Sequence, residues 1–393
     1  MKEQIINQGA AGCIYQYGFD CKGNKINTQK YITKIQRNEK LSNNEYDIGK
    51  KIKEITNYKD YFAPVIECCG VNLAKYNSEE IDKCEFIKKH EKVQGIKERT
   101  YHMCKIEYIG ERTLGEHIFD VFRYTPMQHV KTLVNTYVYL LKSLKILSDN
   151  NIVHYDIKEN NIVCNNVNTP IIIDFGRSID ITLTKTDPAK YKDVFFLYEP
   201  DFDYWCLDIN FLMYIFNELG EGWGEQLATK EIIMGVIDDF FTQTRIAKNV
   251  EKTRHYKAKQ VEYYMKFEGK KWLDVFQELI KFMKTWDNYA LAVTYADFII
   301  QLKEETLLAE FNTMLLDIIA STPDERPTVE QTIEISLNIF AGKIKRDEMK
   351  KLNNIVKQMS KNDRTVNDML VKLQHSRISD LRKDELMDKK YGL

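Results

Sequence analysis

The chain has 393 residues, 44% hydrophobic and 12% aromatic, which is enough for a substantial core and excludes a disordered chain. Its 57 Lys and Arg nearly cancel 58 Asp and Glu, so the net charge of −1 points to neither nucleic acid nor an anionic membrane surface. No apolar run reaches the length of a membrane span, and the size allows one large two-lobed domain or two ordinary ones. Eight cysteines (13, 21, 68, 69, 84, 104, 164 and 206) form no C-x-x-C pair and no zinc-like spacing. That usage predicts reduced, mostly buried thiols in a cytoplasmic protein.

The first predicted elements are two short strands, QIIN and residues 13–15, joined by a tight turn holding Gly9 and Gly12. Glycines there let backbone N–H groups approach phosphates without Cβ interference. KYITKIQ alternates as a strand and carries Lys34. LSNNEYDIGKKIKEI reads as a helix capped by Ser42 or Asn43, with Glu45, Ile48 and Ile52 on one face. Gly49 interrupts it at a cost of ~1 kcal/mol relative to Ala. YFAPVIECCGV is the next strand, residues 75–98 are a charged, irregular surface insertion, and YHMCKIEYIG is a further strand. Residues 113–122 and 128–150 have helical spacing. In the longer helix, Val130, Leu133, Tyr137, Leu140, Leu141, Leu144 and Leu147 recur at three- and four-residue steps, a buried face.

Residues 154–176 read HYDIKENNIVCNNVNTPIIIDFG. A polar loop holding His154, Asp156, Lys158 and Asn161 feeds two apolar runs separated by the turn stretch NNVNTP, the pattern of a β-hairpin. The hairpin returns Asp174 to the neighbourhood of Asp156 and Asn161. Oxygen ligands plus an ammonium are what Mg²⁺ with a polyphosphate requires.

This stretch resembles the catalytic loop H-R-D-x-K-x-x-N and the D-F-G motif of the eukaryotic-type protein kinases. Other segments resemble family elements in order. Gly9, Gly12 and Ile14 match the second glycine, the third glycine and the Val of the glycine loop, and Asn7 replaces its first glycine. KYITKIQ is similar to V-A-I-K, and EYDIGKKI to the helix whose Glu pairs with that Lys, so the resemblance implies a Lys34–Glu45 pair, with Glu54 as second candidate. Ile106 would be the gatekeeper, and Glu107 and Ile109 would offer a carbonyl and an amide to adenine. Tyr198-Glu199-Pro200 resembles A-P-E, and DFDYWCLDINF resembles the D-x-W-S-L-G helix start. The resemblance therefore implies that Asp203 accepts the catalytic loop's backbone N–H groups and that Glu199 pairs with Arg326 of TPDERPTVEQTI. Three positions depart from the family: Tyr155 replaces Arg, Asp208 stands where Gly is common, and only two residues separate Pro200 from Asp203.

The fold implied is α+β and two-lobed. Residues 1–110 form a small β-rich N-lobe, 111–342 a mostly helical C-lobe with ATP between the lobes, and 343–393 a charged helical extension with three open roles: packing on the C-lobe, binding a partner or staying mobile. The cofactors implied are ATP and Mg²⁺, with Mn²⁺ as a substitute, and the acceptors are Ser or Thr hydroxyls of protein substrates. Asp156 would be the base, Asn161 and Asp174 the metal ligands, and Lys34 and Lys158 the phosphate-neutralising cations. Tyr155 in place of Arg predicts activity independent of phosphorylation at Thr182, Thr184 or Thr186. The basic stretch 245–260 reads as a solvated helix face, with docking of an acidic substrate or nucleic acid as the alternative. EYDIGKKI, NYKDYFAPVIECC and the composition also resemble protein kinases of large DNA viruses, which would place the protein in host cytoplasm or virion. Two rival readings are a pseudokinase scaffold and a small-molecule kinase of the aminoglycoside or choline type.

Overall fold

The computed structural model describes residues 4–8, 12–73, 76, 81–94, 100–121, 126–184, 188–302 and 308–341, which fall into two compact units. The first unit comprises the described chain up to His117 together with Asn160–Ser178. Its antiparallel sheet has five strands, β1 (Gln4–Gln8), β2 (Gly12–Gln16), β3 (Tyr31–Gln36), β4 (Val65–Asn72) and β5 (Thr100–Glu107), in the order β1-β2-β3-β5-β4. Side chains alternate across β2, so Cys13 and Tyr15 enter a core that also holds Ile35, Val71 and Met103. Helices α1 (Glu39–Lys53) and α2 (Glu85–Gln94) follow β3 and β4 respectively. Residues 81–94 differ from the irregular surface insertion read from their charge, because Ile81, Cys84, Phe86 and Ile87 join this core.

The thiol expectation is corrected in this unit. Cys13 is bonded to Cys84, Cys21 to Cys69, and Cys68 to Cys104, while Cys164 and Cys206 are free and buried. No spacing motif announces these pairs because tertiary contacts make them; in one, Cys68 on β4 lies directly opposite Cys104 on β5. The cap of α1 also differs from the expectation. Asn38 is the N-cap, accepting the Leu41 N–H at 3.0 Å, and Ser42 turns its hydroxyl back to the Asn38 carbonyl. Gly49 has a packing reason, since a Cβ there would fall 2.7 Å from the Val65 carbonyl oxygen on β4.

Strands β7 (Ile162–Cys164) and β8 (Pro170–Ile172) form the expected hairpin, with Ile162 opposite Ile172. The Asn165 side chain closes its turn by accepting the Val167 and Thr169 N–H groups.

Helix α3 (Leu114–Val121) carries the chain into the second unit. This unit is mostly helical. It contains α4 (Pro126–Asp149), the short paired strands β6 (Ile152–Val153) and β9 (Ile179–Asp180), α5 (Ile181–Thr184), α6 (Leu207–Asn217), α7 (Lys230–Gln243), α8 (Arg245–Arg254) and α9 (Tyr256–Met265). It ends with α10 (Trp272–Leu279), α11 (Trp286–Leu302), α12 (Ala309–Ala320) and α13 (Val329–Ala341). The stripe read along α4 is buried throughout. Helix α11 is apolar on nearly every face and buried from Trp286 to Ile299, so it forms the centre of the unit.

The basic stretch is tied down by acids of the same unit. Arg245 bonds Asp297, Arg254 bonds Asp317, Lys257 bonds Asp238 and Lys259 bonds Glu325. Among the described residues no helix is long and apolar enough to cross a membrane. The expected extension at 343–393 lies outside the described residues.

Candidate functional site

In the first unit, β3 presents Lys34 between Ile14 on β2 and Cys104 on β5. Its Nζ lies 3.1 Å from Glu45 Oε2 and 3.1 Å from Asp174 Oδ1. Glu45 occupies the buried face of α1, where Gln36 donates a second hydrogen bond to the same oxygen at 3.2 Å. Of the two candidates, Glu45 is therefore Lys34's partner. Glu54 is the exposed C-cap of α1. Burial pulls the Lys34 ammonium pKa down, but Asp174 and then Glu45 outweigh it and hold the pKa above its ordinary value. Lys34 is thus a fixed cation.

Asp174 reaches Lys34 from a backbone at φ +63°, a left-handed conformation that Asp tolerates better than most residues. Its carboxylate keeps 43% of its surface open. The Ile173 N–H donates to the Asn161 carbonyl at 2.9 Å, so the hairpin ties the backbone at Asn161 to the residue preceding Asp174. One contact had no sequence signal: the Asn44 amide on α1 donates to the carbonyls of both Gly176 and Ser178, each at 2.9 Å. It ties the helix of Glu45 to the segment of Asp174.

The remaining sites expected in this unit have mixed outcomes. Asn7 faces Ile14 across the β1–β2 hairpin, and Gly9 lies outside the described residues. Gly12 is required by packing, because a Cβ would lie 2.1 Å from the Ile35 carbonyl oxygen on β3. Glu107 ends β5 with its side chain paired to Lys59 at 3.1 Å, and Ile109 follows in the coil.

In the second unit, Lys158 Nζ stands 3.2 Å from Asp156 Oδ2. The backbone leading to Asp156 is held by a residue the sequence reading missed. Asp287 accepts the His154 N–H at 2.7 Å and the Tyr155 N–H at 2.8 Å. Asp203, expected in that role, instead accepts the Ile246 N–H at 3.0 Å and faces Arg245. The reason is placement, since Asp287 opens the central helix α11 whereas Asp203 precedes α6. Burial raises the Asp287 pKa above the usual carboxylate range, opposed by His154 and the two backbone donors. A signal was present. Asp287-x-Tyr289-Ala290-Leu291-Ala292 repeats the acid, aromatic, small, Leu, small spacing of D-x-W-S-L-G.

The expected Glu199–Arg326 pair is also corrected. Arg326 Nη2 meets Asp208 Oδ1 at 2.8 Å, Nη1 meets Oδ2 at 3.3 Å, and both side chains are essentially fully buried. Asp208 lies in the buried first turn of α6, while Glu199 lies half-buried in the coil before it. The acid standing where Gly is common thus takes the arginine.

No protein-family model matches this chain, and no curated protein matches its sequence. Among the described residues no three His, Cys, Asp or Glu side chains gather as a metal cage. An open carboxylate with a neighbouring amide residue suits Mg²⁺, which is commonly held by one or two carboxylates plus substrate phosphates.

Proposed function

We propose that this protein transfers the γ-phosphoryl group of ATP to Ser or Thr hydroxyls of protein substrates. The observation that carries this reading is the Lys34 ammonium, 3.1 Å from Glu45 and 3.1 Å from Asp174, each supplied by a different element. A buried cation fixed by one enclosed acid and touched by a second, open one suits a phosphate-binding lysine beside a metal-binding carboxylate.

ATP with Mg²⁺ supplies the transferable phosphoryl group and neutralises its charge. Lys34 binds phosphate oxygens, with Glu45 and Gln36 fixing its position. Asn161 and Asp174 offer the amide and carboxylate oxygens for the metal. Asp156 orients the acceptor hydroxyl and takes its proton as the new O–P bond forms and the bond from the γ-phosphorus to the β,γ-bridging oxygen breaks, with ADP leaving, and Lys158 steadies the charge beside it. The resemblance to viral kinases belongs to the same proposal, without the cytoplasmic location, since disulfides such as Cys13–Cys84 persist in oxidising surroundings. Radiolabel transfer from ATP to protein, with Asp156→Asn and Asp174→Ala as controls, tests it, and a panel of aminoglycosides and choline separates the small-molecule reading.

A further inference from the structure

Tyr155 is a bulky non-glycine residue at φ +68°, a conformation that persists only where the surroundings impose it. Its N–H is taken by Asp287. Its carbonyl accepts the Trp205 indole N–H at 3.1 Å, and its ring stacks on the same indole, centroids 5.3 Å apart at 25°. Phe195 packs edge-on against the ring at 6.1 Å. Neighbours of Trp205 hold the rest of the loop. The Tyr204 hydroxyl donates to Glu159 at 2.6 Å, and the Lys158 ammonium sits 5.7 Å from the Phe202 ring centroid. Residues 202–205 therefore grip the loop at positions 155, 158 and 159, on both sides of Asp156.

We propose that Trp205 is a positioning residue for Asp156, anchoring a brace at residues 202–205 that fixes the catalytic loop without phosphorylation. This rests on the phosphoryl-transfer reading for its consequence and on the geometry of one unit for its existence. The brace is built from ring stacking, one indole donor and one hydroxyl donor, so it engages without any added phosphate. Trp205 couples to Asp156 through the backbone it holds and touches no reacting atom.

The test uses the full chain with Trp205→Leu, which removes ring and donor, and Trp205→Phe, which keeps a ring. It reads kcat, KM for ATP and amide hydrogen exchange, with thermal unfolding as the folding control. In Trp205→Leu, kcat is expected to fall about tenfold or more with KM for ATP within about twofold, and Trp205→Phe to recover part of the loss. Exchange at His154 and Tyr155 is expected to quicken about tenfold while distant helices stay protected. Should Trp205→Leu not fold, the Phe variant carries the same comparison. Triple replacement of Thr182, Thr184 and Thr186 by Ala is expected to keep wild-type kcat. Unchanged exchange at 154–155, undiminished kcat, or loss of kcat in the folded triple variant overturns the proposal. If the wild-type protein transfers nothing, the kinase reading fails by itself, and exchange alone decides whether the brace exists.

Discussion

Arg326 and Asp208 form an ion pair across 118 residues of sequence, with the guanidinium and the carboxylate both out of solvent. Removing one partner leaves the other charge buried and uncompensated, so Asp208→Ala should cost about 3–5 kcal/mol of stability. Replacing both partners with apolar residues, as in Asp208→Leu with Arg326→Met, should recover most of that loss. Urea denaturation of the three proteins checks it, and an Asp208→Ala variant as stable as wild type would show that the pair contributes nothing to stability.

Asp287 satisfies two buried N–H groups, and leaving such donors unmade costs about 1–3 kcal/mol each. Asp287→Ala should therefore lower stability by a few kcal/mol and slow turnover while nucleotide affinity holds, since Lys34 and Asp174 belong to the other unit. Asp203→Ala should affect turnover much less. Equilibrium nucleotide binding alongside kcat compares the two variants.

These two acids show where the sequence stopped being legible. The strand of Lys34, the helix face of Glu45 and the β7–β8 hairpin could be read because strand alternation and helix phase are local, whereas the pairing of Lys34 with Glu45 was implied by the resemblance alone. Asp203 and Asp287 each precede an aromatic residue two positions on, and Glu199 and Asp208 are two acids nine residues apart. Which acid reaches its partner depends on which helix the core buries, and no local pattern carries that information. The cysteine pairs fail for the same reason. Gly49 looked like a defect because the Val65 carbonyl it accommodates lies on another element.

Peptide mapping without reductant should recover Cys13 linked to Cys84, Cys21 to Cys69 and Cys68 to Cys104. The first closes 71 residues of chain, for which loop-closure entropy gives about 4 kcal/mol. A Cys13→Ala variant should accordingly melt lower than wild type under oxidising conditions and match it in excess dithiothreitol. Alkylation of all eight cysteines in the denatured, unreduced protein would contradict the pairing.

His102 on β5 is buried, and burial lowers its pKa below the ordinary 6.5, with Glu39 opposing. The unfolded chain then binds the proton more readily than the folded one. The stability tied to neutral His102 is present in full above about pH 6.5 and is lost as pH falls through the lower folded-state pKa. The stability of His102→Asn should change less than that of wild type between pH 7 and pH 5, as followed by denaturant melts.

The proposed role of Lys34, Glu45 and Asp174 is phosphoryl transfer. The most direct measurement is Mg²⁺-dependent transfer of γ-labelled phosphate from ATP to generic protein substrates and to the protein itself, with acid-stable phosphoamino acids identified. The expected result is label on Ser or Thr that falls by several orders of magnitude in Asp156→Asn and Asp174→Ala and is strongly reduced in Lys34→Ala. Nucleotide binding without any transfer to protein, or transfer that survives Asp174→Ala, would contradict it.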